Sequence, residues 1–124
     1  MIDFTNGSVF RLGERDTSDA QAELSELLVP NEHVVLAFKG GRDTVTFTNK
    51  RLITVNVQGL TGKKRDYTSL PLAKLQAWSV ETAGTFDLDS ELELWFSALG
   101  KVRLEFKGRV DIRTVSQLIG QYAL

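Results

Sequence analysis

Glu91-Leu92-Glu93-Leu94-Trp95-Phe96, a link Ser97-Ala98-Leu99-Gly100, and Lys101-Val102-Arg103-Leu104-Glu105-Phe106 form the stretch that decides the fold. In the first arm Leu92, Leu94 and Phe96 alternate with Glu91, Glu93 and Trp95. In the second, Val102, Leu104 and Phe106 alternate with Lys101, Arg103 and Glu105. A period of two belongs to a strand, whose successive side chains point to opposite faces. The arms predict a hairpin with one apolar and one charged face, where opposite charges pair across the strands. Trp95 is the exception, an aromatic on the charged face.

The same period runs upstream. Strands are expected over His33 to Phe38, Thr44 to Thr48, Arg51 to Val57, Lys63 to Leu70 and Leu75 to Ala83. Turn segments separate them: Lys39-Gly40-Gly41-Arg42-Asp43, Thr48-Asn49-Lys50, Gln58-Gly59-Leu60-Thr61-Gly62, Pro71, and the polar loop Gly84 to Ser90. That makes seven strands over residues 33–106. Downstream, Gly108 breaks the strand and Asp111 caps a helix over 111–122. Ile112, Val115, Leu118, Ile119 and Tyr122 give it one apolar stripe. Upstream, residues 1–16 read as a mixed arm with Gly7 and Gly13. A short helix then runs from about Ser18 to Leu28, with Ser18 as cap, Gln21 as capping-box partner and Pro30 just beyond.

Strands in sequence, each apolar on one face, must curl to bury that face. A terminal amphipathic helix suits the open end of such a roll. Seven strands and then one helix is the order of the pleckstrin-homology (PH) fold. The expectation is a mainly β, PH-like seven-stranded roll or barrel, capped by the C-terminal helix, with a short N-terminal helix. An ordinary β-sandwich is the alternative, since periodicity does not set strand pairing. The 124 residues, 13.8 kDa, suffice for a single domain over 1–124.

Composition removes several function classes. There is no Cys and one His, which excludes disulfide scaffolds, Cys-based zinc sites, Cys nucleophiles and iron–sulfur clusters. No metal or cofactor is expected. A net charge of −1 argues against a dedicated nucleic-acid binder. The longest apolar run, Val34 to Phe38, is far too short to span a bilayer. The N-terminus lacks a basic start and an apolar run, so a cytoplasmic location is expected. His33 has no Gly-x-Ser-x-Gly elbow to serve, and no phosphate-binding or dinucleotide fingerprint occurs. No enzyme activity is expected.

Three separated segments carry a resemblance. They are Phe47-Thr48-Asn49-Lys50-Arg51-Leu52-Ile53; Gly59-Leu60-Thr61-Gly62-Lys63-Lys64 with Tyr67 and Ser69-Leu70-Pro71; and Ser79-Val80-Glu81-Thr82-Ala83-Gly84 with Asp87-Leu88-Asp89 and Glu91-Leu92-Glu93-Leu94-Trp95. In this order, over about residues 33–106, they resemble the bacterial PH-like family. The resemblance implies a PH-like barrel, no catalysis, protein–protein interaction, and cyclic homo-oligomers, often rings of five. The C-terminus lacks the helical hairpin that some members append, which favours the small ring. The matching polar residues Arg51, Gln58, Lys63, Lys64, Glu81, Thr82, Asp87 and Asp89 become candidates for a partner surface or a subunit junction.

Each sharp reading has a plainer counterpart. Inositol phosphate binding would need cations on the first hairpin loop, where Lys39 and Arg42 stand beside Asp43; a solvated turn is the plainer reading. Lys63-Lys64-Arg65 is the one basic run, suited to an anionic surface or simply a solvated strand start. Asp87, Asp89, Glu91 and Glu93 lack the spacing of a calcium loop. Trp95 is either an interface aromatic or a lid over its own chain. With Trp78, Leu52 or Leu60 it would form an outward apolar patch. The function expected is a ring-forming interaction module with a protein partner of unknown identity. The alternative is a peripheral binder of anionic lipid.

Overall fold

The structure, a computed structural model, describes residues 9–124. Residues 1–8 of the expected arm, Gly7 among them, lie outside it. The elements run β1 (Val9–Glu14), α1 (Thr17–Glu23), β2 (Val34–Gly40), β3 (Asp43–Thr48), β4 (Arg51–Gln58), β5 (Lys64–Pro71), a single 3₁₀ turn (Leu72–Lys74), β6 (Leu75–Glu81), β7 (Ser90–Phe96), β8 (Gly100–Phe106) and α2 (Ile112–Ala123). The expected strands are all present, in a PH-like architecture. All strands belong to one sheet of order β5-β4-β3-β2-β1-β8-β7-β6.

β1 is an eighth strand, inside the segment read from sequence as an irregular arm. It joins the two halves of the sheet. Gly13 and Glu14 pair antiparallel with β2, while Val9 and Leu12 pair parallel with β8. A register shift separates Val9 from Leu12, and Arg11 adopts φ 57°. The bulge breaks the alternation that would have marked a strand. Leu12 is fully buried.

The roll buries one continuous core. Phe38, Phe47, Leu52, Leu94, Leu104 and Phe106 are among its members. The Phe38 and Phe106 rings meet edge-on with centroids 4.9 Å apart. α2 closes the roll with Ile112, Val115 and Ile119, while Leu118 and Tyr122 are only half-buried. Asp111 caps α2 as expected, accepting from the Arg113 N–H at 3.1 Å.

α1 differs from its expected form. Asp16, not Ser18, is the cap: its Oδ1 accepts from the N–H groups of Ser18 and Asp19 at 2.8 and 3.2 Å. These bonds, led by the Ser18 hydroxyl, hold the Asp16 carboxyl below its ordinary range. Gln21 does not complete a capping box. Its Oε1 accepts from Val34 N–H at 2.9 Å and ties the helix to β2. Leu24 packs on Ile53 and Val55, a second small core outside the roll. Consequently Leu52, Ile53, Thr54 and Val55 are all buried, because β4 has the roll on one face and Leu24 and Leu28, just after α1, on the other. Leu52 therefore belongs to the core and not to an outward patch.

Candidate interaction surface

Trp95 is half-exposed, at 50%, on the outer face of β7. Register places it between Ala77 of β6 and Lys101 of β8. These residues, with Ser79, Glu93 and the edge of Trp78, line a shallow cleft of about 260 Å³. Its lining carries one cation and one anion, Lys101 and Glu93, 3.7 Å apart. The plainer reading of Trp95, a lid over a patch of its own chain under residues 1–16, falls in part on residues 1–8, outside the described residues.

Trp78 does not share this outward face as expected. A register shift between Leu75 and Ala77 turns Gln76 and Ala77 outward together and returns Trp78 to the inner side, opposite Leu94. There it packs on the core, and its Nε1 donates to Ser116 Oγ of α2 at 3.1 Å.

The other candidates fall into three places. Arg51 is an internal clamp. Its Nε and Nη2 donate to Glu32 Oε2 and Oε1, each at 2.9 Å. Nη2 also donates to Leu27 O at 2.7 Å and Nη1 to Ser69 Oγ at 3.0 Å. Glu32 accepts two more bonds, from Thr48 Oγ1 at 2.6 Å and Val29 N–H at 3.0 Å. Burial pushes the Glu32 carboxyl up, but the Arg51 and Thr48 bonds outweigh it and hold the group below its ordinary value.

Gln58, Lys63 and Lys64 sit on the β4–β5 hairpin, the lysines exposed. Gln58 Nε2 donates to Asn56 Oδ1 at 3.3 Å. The neighbouring β2–β3 turn is tied down: Arg42 Nη2 donates to Gly59 O at 2.7 Å, and Asp43 Oδ1 accepts from Val57 N–H at 3.1 Å.

Glu81, Thr82, Asp87 and Asp89 sit on the β6–β7 hairpin. Asp87 Oδ1 accepts from Asp89 N–H, and Asp89 Oδ2 pairs with Arg11 Nη1 at 3.2 Å. The charged face of the β7–β8 hairpin pairs diagonally: Arg103 binds Glu91 and Lys101 binds Glu93. Directly opposite Glu91 stands Glu105. Burial, together with the charges of Asp89 and Glu91, raises the Glu105 carboxyl.

Sequence reasoning did not single out Glu32, Arg11, Lys107 or Arg109. The last three line a larger cleft, about 740 Å³, between β1, the β6–β7 loop and the β8–α2 turn. Nothing in their spacing marks it, because bulged β1 brings Arg11 there. No group of three or more metal-ligating side chains occurs among the described residues. No described helix is long and apolar enough to cross a membrane.

Comparison with known proteins agrees with this geometry. The Bacterial PH domain family model matches residues 3–123. A DUF1696 family protein with a PH domain from Shewanella loihica PV-4 superposes with a TM-score of 0.83 at 38% identity, over 93% of this chain and 99% of that one. A PH domain from Shewanella amazonensis SB2B gives 0.70 at 43% identity, over 96% and 93%. YjqA of Bacillus subtilis (strain 168) is 42% identical over 118 residues, 94% of each chain. With the whole roll, its bridging strand and its capping helix matched, the chain belongs to the bacterial PH domain family.

Proposed function

We propose that the protein is a non-catalytic interaction module of the cytoplasm that assembles into a closed ring of its own copies and presents a repeated surface to a protein partner. Trp95 carries the reading: a large aromatic held half-exposed on a sheet face, beside β6, which ends the sheet. β5 and β6 terminate the strand order, so each has an edge without a neighbouring strand among the described residues. A heterologous contact repeated with a closing rotation makes a ring. The family resemblance gives five copies. A ring multiplies weak contacts to a partner into avidity. Light scattering at tens of micromolar tests it: a multiple of 13.8 kDa is expected, and a monomeric mass overturns it. Trp95→Ala is expected to lower the mass while leaving the β spectrum intact.

A second reading, contact with an anionic membrane surface, is favoured by the β4–β5 end. There Leu60 is fully exposed beside Lys63, Lys64 and Arg65. Sedimentation with phosphatidylglycerol vesicles tests it.

A further inference from the structure

Two hairpin tips carry fully exposed apolar side chains: Leu60 on β4–β5 and Phe86 on β6–β7, the latter beside Leu88 at 64% exposure. The tips rest on different parts of the molecule. The first lies on the β2–β3 turn through the Arg42–Gly59 bond. The second lies on the β8–α2 turn, where a Cβ on Gly108 would come within 2.8 Å of Leu88 O. Both are pre-shaped. Gly59 and Gly62 at φ 76° and 67° turn the chain so that Leu60 stands out. Gly84 N–H donates to Asp87 O at 2.7 Å and closes the loop beneath Phe86.

Their charges are opposite. Lys63 and Lys64 follow Leu60 and enter no ion pair among the described residues. Phe86 and Leu88 flank Asp87, which likewise enters none. Asp89, on the inner side of the loop, is taken by Arg11. Lys107 and Arg109 line the cleft behind this loop. Two distinct, pre-shaped surfaces of opposite charge, each with an apolar point, are what a head-to-tail contact between copies requires.

We propose that the Leu60–Lys64 tip of one copy docks against the Phe86-Asp87-Leu88 tip of a second copy, with the apolar points buried together and Lys63 and Lys64 facing Asp87. This rests on the ring reading and adds a charged contact to its junction, separate from the one made by Trp95. It also divides the matched polar residues: Lys63 and Lys64 on one side, Asp87 on the other, Arg51 on neither.

The test is solution mass by light scattering at tens of micromolar for the wild type, Lys63→Glu/Lys64→Glu, Asp87→Lys, and the variant combining all three. All positions are exposed, and circular dichroism checks that the fold persists. Each one-sided reversal is expected to weaken assembly at least tenfold. The combined variant is expected to recover the wild-type mass, which a damaged fold cannot do. Ring mass in both one-sided variants, or no recovery in the combined one, overturns the junction and leaves the ring standing. A monomeric wild type removes the ring itself. A monomer that sediments with phosphatidylglycerol vesicles, and loses this in Lys63→Glu/Lys64→Glu, assigns the tip to a membrane and overturns the docking.

Discussion

Arg51 and Glu32 are joined by a two-pronged pair, Nε to Oε2 and Nη2 to Oε1, across the mouth of the α1–β2 loop. The Glu32 side chain is 1% exposed and the Arg51 side chain 19%. The pair is satisfied on every side, by Thr48, Val29, Leu27 and Ser69. It fastens the loop after α1 to the start of β4, and so holds Leu24 over Ile53 and Val55. Arg51, which the family resemblance offered for a partner surface or a subunit junction, has its guanidinium engaged within its own chain.

Arg51→Ala leaves the Glu32 carboxylate buried without its cation. The expected loss is about 3–5 kcal/mol in urea unfolding. Arg51→Lys is expected to recover only part of it, because an ammonium cannot bridge both carboxylate oxygens and Leu27 O at once. A loss no larger than that of an ordinary surface substitution would show the pair to be idle.

Acid sensitivity follows from the same carboxylate. Its folded pKa lies below its unfolded one, because the Arg51 and Thr48 bonds outweigh burial. The associated stability is fully present above the unfolded value and is lost as pH falls through the folded value. Urea midpoints measured from pH 6 downward are expected to drop for the wild type, and Glu32→Gln, less stable at neutral pH, to lose part of that slope.

Glu105 has the opposite sign. Its folded pKa is raised, so its contribution is favourable below the unfolded value and is lost as pH rises through the folded one. Glu105→Gln removes a carboxylate directly opposite Glu91. It is expected to stabilise the protein by roughly 0.5 kcal/mol at neutral pH, a gain that vanishes in acid. Equal gains at both pH values would rule out the like-charge explanation.

The two tryptophans should behave differently. Trp78→Ala takes a ring from between β6 and α2 and is expected to cost about 3 kcal/mol. Trp95→Ala is expected to change monomer stability by less than about 0.5 kcal/mol. Thermal melts at concentrations where both variants are monomeric give the comparison.

On α2 the decisive position is Ile119, 1% exposed. Ile119→Asp is expected to abolish soluble folding, since it places a charge in the plug of the roll against a total stability of about 5–15 kcal/mol. Leu118→Asp, at a half-buried position, is expected to remain soluble with a lower melting temperature. Equal damage from both would mean that the helix sits about one position further round than described.

What was legible in the sequence was what local chemistry controls. Period-two runs between Gly-rich turns marked the strands from β2 to β8, and Asp111 with a stripe led by Ile112, Val115 and Ile119 marked α2. Trp95 was readable as outward because its neighbours on β7 alternate without interruption.

Tertiary structure alone decided the rest, because it depends on which distant segments meet. β1 is a strand only by virtue of β2 and β8, since its bulge at Arg11 erases the alternation and its parallel pairing leaves no local signature. The shift between Leu75 and Ala77 reversed the facing of Trp78, and a one-residue slip moves a side chain to the other face. Glu32 acquired its partner from a strand begun nineteen residues later. Sequence by itself determined a PH-like roll and its plug; burial on both sides of β4, the Arg51 fastening and the sorting of charges between two hairpin tips required the chain to close on itself.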